Sequence, residues 1–310
     1  MSRCIGPSSA WNSLATRSRS AELRRQAALA QLRDALLATD RAALAARDPI
    51  AEVRCLPHAE WEVAAHLVGA FCYGAVPQIR KTARLLFDAM DGAPTHFART
   101  MRRGELRERL GDFRYRMTAA DDLDRLAFSL GSLHRSHGSL EAAFVATGGE
   151  GELIARLGGY VEAIRGCSPE RSSRGFAYLT PHPASGSAIK RWLLLLRWLV
   201  RPNDSADLGL WSAVSCAELL IPLDTHTSRL SRALGLTSRT TVDLQMAREV
   251  TAQLATVAPL DPVALDMPLC HLGIARDCLH RYAEAICEGC ALRPLCGWAA
   301  AKPSRANRKK

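Results

Sequence analysis

Three groups of residues in this chain have the types and spacings that do chemistry. Lys190 opens the most apolar stretch of the sequence, the run to Val200, directly after a turn-forming segment from Pro181 to Ile189. Asp224 follows 34 residues later in Ile221-Pro222-Leu223-Asp224-Thr225-His226, where an apolar run gives way to an amphipathic helix ending Leu234-Gly235-Leu236. Cys278, Cys287, Cys290 and Cys296 then crowd into 19 residues. A deprotonated amine is a covalent nucleophile towards electrophilic carbon. A carboxylate fixed at a helix start can activate that nucleophile or stabilise a developing cation. Four thiolates at this density are a metal-holding set.

Each group also has a plainer reading. Aspartate is a preferred N-cap, because its carboxylate accepts hydrogen bonds from the free amides of the first helical turn. A lysine that begins an apolar helix ordinarily snorkels its ammonium to water. A nucleophilic lysine needs desolvation or a neighbouring cation such as Arg191. The cysteine gaps of eight, two and five residues suit a [4Fe-4S] cluster or a structural zinc, and unligated thiols remain a third reading. In a cytoplasmic protein such a crowd points to metal rather than to disulfides.

The elements that must position these residues read as helices. Apolar residues make up 48% and charged residues 23% of 310, so the chain has ample material for a core, and few windows alternate with period two. The reading is all-α. Helical periods run from Ser20 to Ala46, Ala59 to Tyr73 and Ile79 to Met90, with two or three helices between Thr95 and Arg165. Further helices are expected from Lys190 to before Pro202, over Trp211–Leu220, after Asp224, over Val242–Val257 and near Pro268–Leu279. Residues 1–20 read as a disordered basic tail, 21–300 as a helical domain and 301–310 as a second basic tail. The net charge of +10 and pI near 9.4 point to an anionic partner such as nucleic acid. No run has the length and apolarity of a membrane span, and a cytoplasmic, nucleoid-associated monomer is expected.

The lysine helix, a connection, and then apolar-Asp-Thr-His with Arg229 five residues on resembles the helix-hairpin-helix DNA glycosylases of the endonuclease III type. More specifically, Pro181-His182-Pro183, Gly186-Ser187, Lys190-Arg191, Arg197-Trp198, Asp207-Leu208-Gly209-Leu210-Trp211 and Pro222-Leu223-Asp224-Thr225-His226 resemble a bacterial family of unknown function that is similar to those glycosylases, over roughly residues 48–296. The resemblance implies a two-lobed helix-hairpin-helix fold with a C-terminal four-cysteine metal loop. It implies base-excision activity with an AP-lyase step, Lys190 as Schiff-base nucleophile, Asp224 as catalytic carboxylate and a [4Fe-4S] cluster on the four cysteines, with zinc as the alternative. The partner would be double-stranded DNA, damaged or abasic. Tyr73 falls near the family's gap-filling position in the loop to Gln78, with Arg80, Lys81, Gly186, Ser187 and Arg191 as further DNA contacts.

Three departures accompany the likeness. The family hairpin reads Leu-Pro-Gly-x-Gly-x-Lys, and its glycines let backbone amides approach phosphate; here Gly186 alone remains, between Ser185 and Ser187. The lysine-to-aspartate separation exceeds that of endonuclease III and is closer to that of the archaeal oxidised-guanine glycosylases. The extra segment from Pro202 to Leu220 could shape a base pocket, with Trp211 stacking there or packing in the core. The first cysteine gap is longer by two than the glycosylase pattern, while the other two agree, and Cys270 could stand in for Cys278. A metal-stapled nucleic-acid-binding protein without catalysis, and a helical interaction protein with a zinc staple, are the alternatives.

Overall fold

Leucine and alanine at helical spacing produce helices along nearly the whole chain in the computed structural model, which describes residues 23–300 apart from 24, 169–172 and 275–277. Both expected basic tails lie outside the described residues. The all-α expectation holds, with one addition. Arg114–Tyr115 pairs antiparallel with Thr118–Ala119 in a short hairpin, too brief for a period-two pattern to register. Among the described residues, no helix is long and apolar enough to cross a membrane.

The first expected helix divides. Helical residues 25–37 end before Asp40, whose carboxylate accepts from the amides of Ala42 and Ala43 and starts a separate helix, Arg41–Ala45. Trp61–Ala70 is buried from Val63 onward and packs against Lys190–Val200, closely enough that a Cβ on Gly69 would lie 3.3 Å from the Cβ of Leu195. Val76–Ala89 follows.

Between 95 and 165 there are five helices rather than two or three: Pro94–Thr100, Glu105–Leu110, Ala120–His137, Leu140–Gly148 and Leu153–Gly166. Gly138, at φ +87°, ends the third in a conformation that L residues rarely adopt, and Ser139 caps the fourth through the amide of Ala142. The carboxylate of Asp124 accepts from the amides of Gly104, Leu106 and Arg107, so a residue of the third helix satisfies the start of the second.

The expected helix over Trp211–Leu220 is corrected. The chain there is extended apart from one 3₁₀ turn, Cys216–Glu218, closed by a capping box between Ser215 and Glu218. Tertiary bonds hold it open. The Trp211 amide donates to the carbonyl of Leu199 at 2.8 Å, and its indole donates to Glu62 Oε1 at 2.8 Å.

Most buried apolar side chains form one cluster with members from Leu29 to Leu292, and Ala45, Ala206 and Met267 form a second, small one. Within the larger lies a cation. Arg197 donates from Nε to Asp207 Oδ1 at 3.0 Å and from Nη1 to Asp266 Oδ2 at 2.6 Å, with Nη2 at 3.9 Å from Asp48 Oδ2. Arg201 shares Asp207 and also donates to Asp261. Burial alone would lower the Arg197 pKa, but the carboxylates of Asp207, Asp266 and Asp48 outweigh it and hold the guanidinium charged. Arg197→Leu would leave those acids without their shared cation. The expected loss is about 3–5 kcal/mol of unfolding free energy in urea titrations. A loss below about 1 kcal/mol would show that the acids are satisfied without it.

Candidate functional site

The approach to Lys190 is a tight, glycine-poor turn. Pro183–Ser185 makes one 3₁₀ turn, Gly186 follows at φ +73°, and Ser187 forms a backbone bridge with Asp243. The Leu244 amide donates to the Gly186 carbonyl at 3.3 Å, so the turn is tied to the start of the helix Leu244–Ala255. Ile189 then adopts φ +37°, ψ +34° with its side chain buried, and Lys190–Val200 begins. A β-branched residue in the left-handed region is costly, and it holds only because packing and hydrogen bonds over-determine it.

Asp224 caps a helix, as its plainer reading expects, and also stands beside Lys190. Its Oδ1 accepts from the Thr227 amide at 2.7 Å, which caps the helix Thr225–Ala233. Its Oδ2 lies 3.6 Å from Lys190 Nζ and accepts from the Cys270 thiol at 3.2 Å. Cys270 stands one turn into the helix Asp266–Ile274, whose first residue is held by Arg197. Sequence reasoning placed Cys270 only as a substitute cysteine. No local pattern reveals its contact with Asp224, which arises from packing between two helices.

Two cavities meet at this pair. One, of about 660 Å³, is lined by Tyr73, Arg80, Lys190, Asp224, Cys270 and His271, and reaches Asp48, Asp266 and Arg197. The other, of about 910 Å³, carries Tyr178, Ser187, Arg191, His226, Arg229 and Arg232 besides the pair itself. Inside the first, Arg197 Nη2 and His271 Nδ1 are buried without a hydrogen-bond partner among the described residues. They lie beside carboxylates, so this end of the cavity offers both donors and acceptors.

The electrostatics favour an ion pair at rest. Burial pushes the Lys190 amine towards neutrality, but Asp224, with smaller help from Cys270, Cys72 and Asp266, carries its pKa above the ordinary lysine value. Burial likewise pushes Asp224 up, and Lys190, the Thr227 amide and the Cys270 thiol bring it below the usual range. Lys190 retains 35% side-chain exposure, so its amine can be reached from the cleft.

The sequence-predicted contacts fall in different places. Gly186 and Ser187 are exposed at the turn, and Gln78 and Lys81 are exposed on the helix Val76–Ala89. Arg80 is held inward, from Nε to Glu52 Oε1 at 2.6 Å and from Nη1 to the Ala46 carbonyl at 2.9 Å. Arg191 donates to the carbonyls of Ala70 and Tyr178, with its guanidinium over the rings of Tyr178 and Tyr73. Tyr73 hydrogen-bonds Thr118 Oγ1 at 2.7 Å and packs edge-on against Tyr178, forming a wall of both cavities. Trp211 lies outside both cavities, buried against Phe144 and His66.

Cys278, Cys287, Cys290 and Cys296 line one small cavity of about 30 Å³ together with Leu230, Leu234 and Trp298. Burial pushes the Cys278 thiol up, and the charges of Cys296, Cys290 and Cys287 add to it, as thiols turned towards one another should. No group of three or more His, Cys, Asp or Glu among the described residues meets the spacing for a metal ion. His280, two residues past Cys278, contacts the ring of His226 at Nε2 to Nδ1, 3.0 Å, and so joins the cysteine loop to the aspartate helix.

The family model described as "Protein of unknown function (DUF2400)" matches residues 48–275. The chain belongs to this family. No curated protein and no solved structure matches it. The DUF2400 match begins at Asp48, includes Lys190, Arg197, Asp224, Asp266 and Cys270, and stops before the four-cysteine loop. The charged strut and the Lys190–Asp224 pair are therefore both inside the family segment.

Asp266 gives a pH test of this arrangement. Burial outweighs Arg197 and pushes its carboxyl up to about 6, against 3.8 for an ordinary aspartate. Proton binding thus favours the folded chain: its contribution is full below 3.8 and is lost as pH rises through about 6. Asp266→Asn should remove that dependence. Urea midpoints of wild type and variant should diverge across this window, and parallel curves would show that the carboxyl titrates normally.

Proposed function

We propose that this protein is a DNA base-excision glycosylase with an AP-lyase step, on a two-lobed helix-hairpin-helix framework. The observation that carries the reading is Lys190 Nζ at 3.6 Å from Asp224 Oδ2, where two cavities meet. Helices Arg174–Leu179 and Lys190–Val200 flank the turn 180–189, which supports the hairpin part of the proposal.

In this mechanism a target nucleotide leaves the stack. Its base enters the 660 Å³ cavity, where Arg197 Nη2, His271 Nδ1 and the nearby carboxylates can meet its polar edge. Lys190 must first lose its proton, and Asp224 is the adjacent acceptor. The free amine then forms a bond to the sugar C1′ as the bond from C1′ to the base nitrogen breaks and the base departs with the electron pair. An amine proton passes to the sugar-ring oxygen as its bond to C1′ breaks, giving the protonated imine, and loss of a C2′ proton then supplies the electron pair that expels the 3′ phosphate. Arg229 and Arg232 line the other cavity, where a phosphate backbone would pass.

The four cysteines suit a [4Fe-4S] cluster in donor type and line one cavity, with zinc as the alternative. Either would staple the loop and hold Arg281 and Arg293, which line the same cavity. Visible absorbance near about 400 nm with iron content decides for the cluster, and Cys287→Ser should abolish it. Colourless protein containing zinc would decide for the alternative.

A second reading, a metal-stapled nucleic-acid-binding protein without catalysis, is favoured by the charge state of Lys190, whose ammonium is stabilised at rest. Borohydride trapping on abasic-site duplex separates the two. A covalent adduct is expected from wild type and none from Lys190→Gln, while Asp224→Asn should slow trapping by roughly 10²–10⁴-fold. Binding without any adduct would sink the lyase step and leave the second reading. On either reading affinity should fall steeply as salt rises; a flat response would remove the electrostatic case for DNA.

A further inference from the structure

The hairpin Arg114–Ala119 takes no part in the reaction just proposed, yet it is latched to the wall of the cleft. Tyr115 Oη donates to the Tyr73 carbonyl, and Tyr73 Oη contacts the Tyr115 carbonyl and Thr118 Oγ1. Tyr115 pairs with Thr118, so the turn consists of Arg116 and Met117 alone. Arg116 adopts φ +53° and lies over Gly74, where an added Cβ would come 3.0 Å from its Cζ. Gly74 lines both cavities beside Lys190. The tip of the hairpin is therefore at the mouth of the cleft, and its base is anchored.

Met117 projects from that tip with 55% of its surface exposed. A single exposed apolar residue is ordinary on a protein surface. Its neighbours make this one different. Arg114 and Arg116 precede it in the same hairpin, both exposed, and neither is in an ion pair among the described residues. An unbranched thioether that shares a hairpin with two cations suits one anionic partner with an apolar interior, the stacked bases of a nucleic-acid duplex. Methionine is among the side chains that serve as wedges between base steps.

We propose that this hairpin is a wedge: Met117 enters the base stack at the vacated position while Arg114 and Arg116 meet the flanking phosphates. The proposal rests on the DNA reading above. It moves the gap-filling role from Tyr73, whose ring and hydroxyl are engaged, to the tip that Tyr73 supports.

The test uses the full chain and a duplex carrying a tetrahydrofuran abasic analogue with 2-aminopurine beside it. Saturating wild type should raise the fluorescence several-fold as the neighbouring base unstacks. Met117→Ala and the isosteric polar Met117→Gln should lose most of that rise and bind roughly tenfold more weakly. Met117→Leu should retain both. The exposed position leaves folding of all three intact, which circular dichroism checks. Equal fluorescence and affinity for wild type, Ala and Gln variants would overturn the wedge while leaving DNA binding standing. So would a rise lost only in Arg114→Ala or Arg116→Ala. Wild type that fails to bind the duplex at all would overturn the wedge together with the DNA reading.

Discussion

The site depends on a buried charge that cannot be moved. Arg197 draws Asp48, Asp207 and Asp266 from three distant parts of the chain onto one guanidinium. Its planar fork suits several acceptors at once, as a lysine ammonium would not. Seven residues separate it from Lys190 on the same helix, so the two lie near one face, two turns apart. Asp266 in turn begins the helix that carries Cys270 to Asp224. One cation thereby sets the relative phase of the helices that deliver the amine and the thiol. The cost of desolvating it is offset by those carboxylates together.

Around the pair itself, burial and charge pull in opposite directions. Withdrawal from water is the largest influence and disfavours both ions; their mutual attraction outweighs it only together with the Thr227 and Cys270 bonds to Asp224 and the smaller charges of Cys270, Cys72 and Asp266 around Lys190. The Cys270 thiol and the Thr227 amide add two donors to the carboxylate, so Asp224 is nearly saturated before any substrate arrives. One residue can thus cap a helix and meet the amine together: capping engages Oδ1, while Oδ2 is shared between the Cys270 thiol and Lys190.

The sequence made the pair legible because both residues sit at helix starts, where Pro181 to Gly186 and Pro222 punctuate the chain and aspartate has a known local use. The helical class was legible from periodicity. Other parts were hidden for physical reasons. Cys270 and Asp266 meet their partners only through packing between helices remote in sequence. Arg80 and Arg191 read as surface cations, since charge alone does not tell an outward side chain from one bonded to a carboxylate or to carbonyls of its own chain. Trp211–Leu220 had helical composition, but Glu62 and Leu199 pull it straight. The four cysteines were legible as a cluster, and their convergence on one cavity agrees with that, whereas the family match does not extend to them.

The left-handed Ile189 has a consequence for precision at the reacting amine. In a glycine this dihedral would be one basin among several, and the residue after it would start a hinge. In isoleucine, the buried side chain makes that basin the single one compatible with the packed core. The first turn of the lysine helix is therefore aimed by a buried side chain that also lines the larger of the two cavities. Orientational freedom at Lys190 has been exchanged for backbone strain one residue earlier, and the strain is held where it cannot relax without unpacking the interior.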